Sequence, residues 1–154
     1  MKKVLSIAFI ACMMLFMVGC GTEYPDTNGP DDYTLETITD ENIINRDIGA
    51  AGLTYEETNM GGLHSAEYSA KNLNGTEQIY LTSFWGKSDV IVYIGHMNVE
   101  SGNFRLVIIN NDEIIYDIPL DAFAEEFRFD DLEGDFSISV AGESACFDFS
   151  IEVR

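Results

Sequence analysis

Asp135-Phe136-Ser137-Ile138-Ser139-Val140 and, shortly after it, Cys146-Phe147-Asp148-Phe149-Ser150-Ile151-Glu152-Val153 decide the fold class. In the first, Phe136, Ile138 and Val140 alternate with polar residues. In the second, Phe147, Phe149, Ile151 and Val153 share one face, and Asp148, Ser150 and Glu152 the other. Successive side chains of a strand point to opposite faces, so strict period-two alternation marks a half-buried strand of an antiparallel sheet. Ile114, Tyr116 and Ile118 make a third such stripe. Val90-Ile91-Val92-Tyr93-Ile94 is apolar on both parities, as a strand covered on both faces requires. Glu67 to Leu73 and Gln78 to Phe84 read as further strands with weaker alternation.

Turn chemistry separates these segments. Asn110-Asn111-Asp112-Glu113 reads as a hairpin turn, because Asn and Asp tolerate positive φ. Ser101-Gly102-Asn103, Asp130-Asp131-Leu132-Glu133-Gly134 and the stretch around Gly142 and Ser144 read as turns between strands in the same way. Thr39 to Asp47 is the only helical candidate, a turn or two capped by Thr39 or Asp40 and stopped by Gly49 and Gly52, with an edge strand or extended lead-in as the alternative. Seven or eight strands over about 120 residues predict an all-β domain, a two-sheet antiparallel sandwich of jelly-roll or immunoglobulin-like type. A closed barrel is the competing architecture. Cys146 has no disulfide partner if Cys20 is modified as described below, so the core must hold by burial, with Trp85, Phe104, Phe127, Phe129, Phe136, Phe147 and Phe149 to fill it.

The chain has 154 residues, 27 Asp+Glu against 8 Lys+Arg, and a net charge of −19. Such a balance argues against nucleic-acid binding, which needs cations to neutralise phosphates. At the amino terminus, Lys2 and Lys3 precede an apolar run from Val4 to Val18, interrupted by Ser6 and closed by Gly19-Cys20. This is the layout of a secretion signal; no basic stop-transfer cluster follows it. Met17-Val18-Gly19-Cys20 resembles the lipobox of bacterial lipoproteins, with Met17 where Leu is usual. The resemblance implies cleavage before Cys20, whose thiol carries a diacylglyceryl group, and hence a membrane-held, extracytoplasmic chain. The expected organisation is therefore a signal peptide over 1–19, a lipidated Cys20 and flexible acidic linker over 20–33, and a β-sandwich domain over 34–154. Loss of Lys2 and Lys3 leaves 6 basic residues against 27 acidic, a net −21. The linker carries Pro25, Asn28, Gly29, Pro30 and three aspartates, and reaches on the order of 40 Å when extended. The whole layout resembles small surface lipoproteins of Gram-positive bacteria.

Residues that carry chemistry are sparse. Gly142-Glu143-Ser144-Ala145-Cys146 resembles a nucleophile elbow with Cys146 in place of its last glycine, but no His follows it, so a weak serine hydrolase is the remote alternative. His64, in the Gly-rich loop Met60-Gly61-Gly62-Leu63-His64, and His96, at the end of the strand carrying the Val90 run, stand in no metal-ligand spacing; no metal and no cofactor is expected. Asp130 to Asp135 offers oxygens for Ca²⁺ without the EF-hand order, and reads first as a solvated acidic turn. Cys146 has outward parity and reads equally as an exposed thiol or a small buried one. Tyr80, Phe84, Trp85 and Tyr93 cluster in sequence; core filling is the first reading, and a carbohydrate-stacking surface of Trp85, Tyr80 and Tyr93 the second. The function expected is thus a non-enzymatic, lipid-anchored binding or adaptor module, its partner an unknown protein or cell-wall component, with a carbohydrate-binding module as the alternative.

Overall fold

The computed structural model describes residues 38–45 and 50–154, all within one compact unit, Thr34–Arg154. The signal, lipobox and linker expectations, and the stop of the helix at Gly49, lie outside the described residues. A short helix, α1 (Asp40–Asn45), precedes four strands: β1 (Ala51–Met60), β2 (Leu63–Asn110), β3 (Glu113–Asp117) and β4 (Glu125–Val153). The protein is all-β, as its alternation requires. Its hydrogen bonds trace one open antiparallel sheet, ordered β1-β2-β3 with β4 on β2, and do not draw the expected division into two sheets.

The fold turns on the 48 residues of β2. Straight, such a strand would span on the order of 160 Å. Instead it bends, and it uses both edges of β4. A first limb, 64–84, pairs with 153–134; a second limb, 92–110, pairs with the opposite edge of 153–136. Between them, 88–94 pairs with 132–125, so that Val92 sits opposite both Phe127 and Val153. The Ile91 and Arg154 backbones exchange hydrogen bonds at 2.8 and 3.0 Å, fixing that return. The two-stranded ribbon has coiled until its far end meets its beginning.

Bulges make the bend. Register shifts at 73–75 of the first limb, 142–145 of β4 and 101–103 of the second limb fall at one level across three neighbouring segments. Gly75 (φ 106°), Gly102 (φ 78°) and Ser144 (φ 51°) take the positive dihedrals there. A Cβ on Gly102 would collide with the Ser144 carbonyl, and one on Gly142 would come within 2.8 Å of Leu73. Only hydrogen at these positions lets the strands crease together. The segments read as turns around Gly102, Gly142–Ser144 and Asp130–Gly134 are therefore bulges inside continuous strands, Asp131 and Gly134 also at positive φ. Asn110–Glu113 is the hairpin expected, with Asn111 and Asp112 at φ 49° and 60°.

Creasing encloses the core. Phe136, Ile138, Val140, Phe147, Phe149 and Ile151 of β4 are buried, and they meet Tyr68 and Leu73 of the first limb and Val92, Ile94, Phe104 and Leu106 of the second. The Phe104 and Phe147 rings lie 4.2 Å apart, and Tyr68 stacks on Phe149 at 5.3 Å. Across the fold Phe129 reaches Phe136 at 6.3 Å. Trp85 is no part of this core: it stands fully exposed, because the bend between the limbs carries it out of both paired segments. The Val90–Ile94 run is buried on one parity only, with Ile91 and Tyr93 half-covered.

Among the described residues, α1 covers part of the sheet's outer face. There Ile43 of α1 packs with Val107, Ile109 and Ala141 in a second cluster. The helix forms where Thr39 was read as a cap, its Oγ1 accepting from the Asn42 N–H at 3.2 Å. Arg105 ties it down. Its guanidinium grips both Asp117 oxygens at 2.8 and 3.0 Å and donates to Asp40 at 2.7 Å.

Gly102→Ala should cost at least about 2 kcal/mol, from strained φ plus a backbone clash that cannot relax. Gly86→Ala, where an added Cβ meets nothing within 4 Å, should stay within about 0.5 kcal/mol of wild type. Urea midpoints at unchanged m-value check both.

Candidate functional site

The three aromatics singled out from sequence do not converge. Tyr80 turns inward, its ring 5.1 Å from His64 and 6.3 Å from Phe136, and burial pushes its phenol pKa up. Tyr93 lies half-buried on the second limb, opposite Glu152 and Glu126. Trp85 alone faces water; two residues to either side in the chain, Lys87 pairs with Asp131 at 3.2 Å and the Ser83 hydroxyl donates to Asp135 at 2.5 Å.

The concave ground of the molecule is elsewhere. A cleft of about 740 Å³ opens where β1, the first limb and β4 run side by side, lined among others by Thr54, Ser69, Lys71, Glu100, Cys146 and Asp148. A smaller hollow of about 270 Å³ shares Thr54, Ser69 and Asp148 with it and extends to Glu56, Glu67 and His96. These are outward-parity side chains of adjacent strands, which is why they share one polar face.

On that face the register assembles a constellation that sequence reading missed. His96 stands opposite Ser150, and Asn98 opposite Asp148. The His96 ring lies 2.9 Å from Ser150 Oγ through Nδ1 and 3.1 Å from Asp148 Oδ2 through Nε2, while Asn98 donates to the other Asp148 oxygen at 3.0 Å. With Nε2–H donating to Asp148, Nδ1 accepts from the Ser150 hydroxyl, whose oxygen accepts from the His96 N–H at 3.2 Å. Gly95 makes room, since a Cβ there would sit 2.5 Å from Ser150 Oγ. The proton connectivity is that of a hydrolytic triad. Acyl transfer also needs preorganised donors for an oxyanion. The flanking segments commit their backbone to the ladder, and the serine oxygen already accepts a main-chain bond. The trio clasps the second limb of β2 to β4.

Other candidates resolve similarly. Ser144 lies inside β4, its N–H donating to Asn74 Oδ1 at 2.9 Å, with strand on both sides and no elbow leading into a helix. Cys146 is half-buried with its Sγ 3.3 Å from Glu100 Oε2; that carboxylate pushes the thiol pKa up, away from the reactive thiolate. His64 sits at the start of β2, not in a loop: it is buried against Tyr80, with Nδ1 2.8 Å from Asn59. Two carboxylates of the Asp130–Asp135 stretch have protein partners. Asp131 meets Lys87, and Asp135 meets Ser83, while Asn111 bridges the Glu133 carbonyl and the Asp135 N–H at 2.9 and 3.0 Å. Among the described residues no three His, Cys, Asp or Glu side chains gather as a metal would need.

No protein-family model matches the chain, and no curated protein sequence matches it.

Beneath this face Tyr68 is buried, its hydroxyl within reach of Glu57 at 3.0 Å and the Ile79 carbonyl at 3.2 Å. Burial first, then the bond to Glu57, raise its pKa well above the ordinary tyrosine value. A raised folded-state pKa means that the unfolded chain releases its proton first, near pH 10, so stability held below that point is lost as pH climbs. Urea titrations should show stability falling from about pH 10 upward. Tyr68→Phe should be about 1 kcal/mol less stable at neutral pH, for the unpaired Ile79 carbonyl, yet fall less steeply in alkali.

Proposed function

We propose that the chain is a lipid-anchored, extracytoplasmic binding module without catalytic activity, held by Cys20 and meeting its partner through Trp85. The full exposure of Trp85 carries this reading. Tryptophan is the largest apolar side chain and is over-represented among residues that dominate binding energy. Here the chain's single Trp is given to solvent while nine of its phenylalanines and tyrosines lie in the core cluster or pack against it.

Anchoring rests on Met17-Val18-Gly19-Cys20. Each buried methylene contributes about 0.8 kcal/mol, and two acyl chains hold where one is marginal. The acidic body is repelled by an anionic leaflet over roughly 8 Å, so it stands off on its linker with Trp85 free to reach a protein or a wall component. A carbohydrate partner is the second reading. It is favoured by a bare indole, the aromatic face on which a sugar stacks, although the stacking platform would then be Trp85 without Tyr80 or Tyr93.

Cys20→Ala should move the protein from the detergent phase to the medium, and the intact mass of the wild-type chain should show diacylglyceryl-Cys20 as its first lipid-bearing residue. A mass with residues 1–19 still attached overturns the anchor. Because Trp85 is the only Trp, its emission reports the surface directly. It should barely shift on unfolding in urea, and should shift or quench with the partner bound. A response to wall glycans selects the carbohydrate reading; a response to wall-depleted surface protein alone selects a protein partner.

A further inference from the structure

Among the described residues, the hairpin that opens the sheet leaves one long backbone edge unpaired. Met60 and Leu63 are joined by Gly61-Gly62 at φ 60° and 87°, the paired positive dihedrals of a type I′ turn. Such a two-residue turn is closed by a hydrogen-bonded pair, and pairs alternate from there. Thr58↔Ser65, Glu56↔Glu67 and Thr54↔Ser69 are then bonded within the hairpin. Tyr55, Glu57 and Asn59 direct their N–H and C=O groups away from it. Among the described residues no strand pairs with that side of β1, and nine of its ten residues are exposed. No proline interrupts it and no bulge breaks its register from Leu53 to Met60.

The side chains along this edge specify charge. Glu56 and Glu67 stand directly opposite each other, a like-charge pair that destabilises a sheet. Among the described ion pairs no cation answers either of them. Both line the 270 Å³ hollow, together with Asp148. On the opposite face Tyr55 lies 5.8 Å from Tyr68 and is more than half exposed, an apolar ledge at the rim of the core.

We propose that β1 is a strand-addition site for an extended, lysine- or arginine-bearing segment of a partner protein. The added strand takes its main-chain bonds from Tyr55, Glu57 and Asn59. Its outward cation sits beside Glu56 and Glu67, relieving their repulsion, and its inward apolar side chains rest on Tyr55. This is strand augmentation, in which the main chain supplies affinity and alternate side chains supply selection. A second copy of this chain is the wrong partner, since it brings another acidic strand and a net charge of the same sign. The proposal uses neither Trp85 nor Cys20, so it can fail or hold separately from the function proposed above.

Amide exchange on the full chain tests it, with a short synthetic peptide of alternating lysine and valine as the probe and its glutamate counterpart as control. In the free protein the amides of Tyr55, Glu57 and Asn59 should exchange fast, and those of Thr54, Glu56 and Thr58 slowly. The lysine peptide should slow the first set at least about tenfold and leave the second unchanged. Tyr55→Pro, which removes an outward N–H that the hairpin does not use, should abolish the response with circular dichroism unaltered, and Glu56→Gln should weaken it. Outer amides already protected in the free chain, a concentration-dependent dimer, no slowing by the lysine peptide, or equal slowing by the glutamate peptide would each overturn the proposal.

Discussion

The structure depends on one strand being shared. Residues 136–153 of β4 pair on one edge with the first limb of β2 and on the other with the second, so every other part of the sheet is placed by reference to them. That arrangement demands a bend, because a single strand can flank both edges of a partner only by coiling round it. The demand is met where three bulges fall at one level, around Leu73–Gly75, Gly142–Ala145 and Ser101–Asn103. Any one of them alone would leave its neighbours flat and in conflict. Together they curl the sheet over Phe147 and Phe149, and burial of that aromatic row sustains the bend.

The alternation that makes β4 legible in the sequence is a local property: it holds residue by residue from Phe147 to Val153, whereas Ser137 and Ser139 are buried like their apolar neighbours, so Phe136–Val140 is covered on both faces and not half-buried. Phe136, Ile138, Val140, Phe147, Phe149, Ile151 and Val153 are all buried, and the polar residues between Phe147 and Val153 face outward. Bends were legible as positive-φ chemistry but not as topology. Asn111-Asp112 and Asp131…Gly134 both adopt left-handed backbone, yet the first reverses the chain and the second lies within a strand. Local chemistry reports only the dihedral. Whether the chain turns back or runs on is settled by what pairs across it, which is a long-range fact. Trp85 was misplaced for the same reason: its neighbours Phe84 and Tyr80 pack on the core, and only the break in pairing between 84 and 88 puts it outside.

The clasp of His96, Asp148 and Ser150 shows the same boundary from the side of chemistry. Asp148 and Ser150 are visible as outward residues of a strand, and His96 as a residue at the end of another. Their meeting depends on a cross-strand register spanning more than fifty positions. A bulge at Gly95 then sets His96, rather than its neighbour, on the outer face. No spacing rule in a single chain encodes such a pairing. The candidate elbow at Ser144 had the reverse character: a local motif was present, and the continuous strand around it removed the context the motif needs.

Charge connects these observations. Few cations are available, and several are engaged in holding the fold: Arg105 clamps α1 to β3 through Asp40 and Asp117, Lys87 meets Asp131, and Arg154 meets Glu126 at the point where the ribbon closes. Among the described ion pairs, no other Asp or Glu but Asp148, beside His96, is met by a basic side chain. On most of the sheet that surplus is spread over solvated positions and costs little. On β1 it is concentrated opposite itself at Glu56 and Glu67, beside the unpaired backbone edge. Edge strands carry charge as a guard against indiscriminate pairing. An acidic guard of this kind excludes copies of its own chain by sign while leaving the main-chain groups open, so the feature that keeps the protein from aggregating through its edge is also one that selects, by charge alone, which strands the edge can accept.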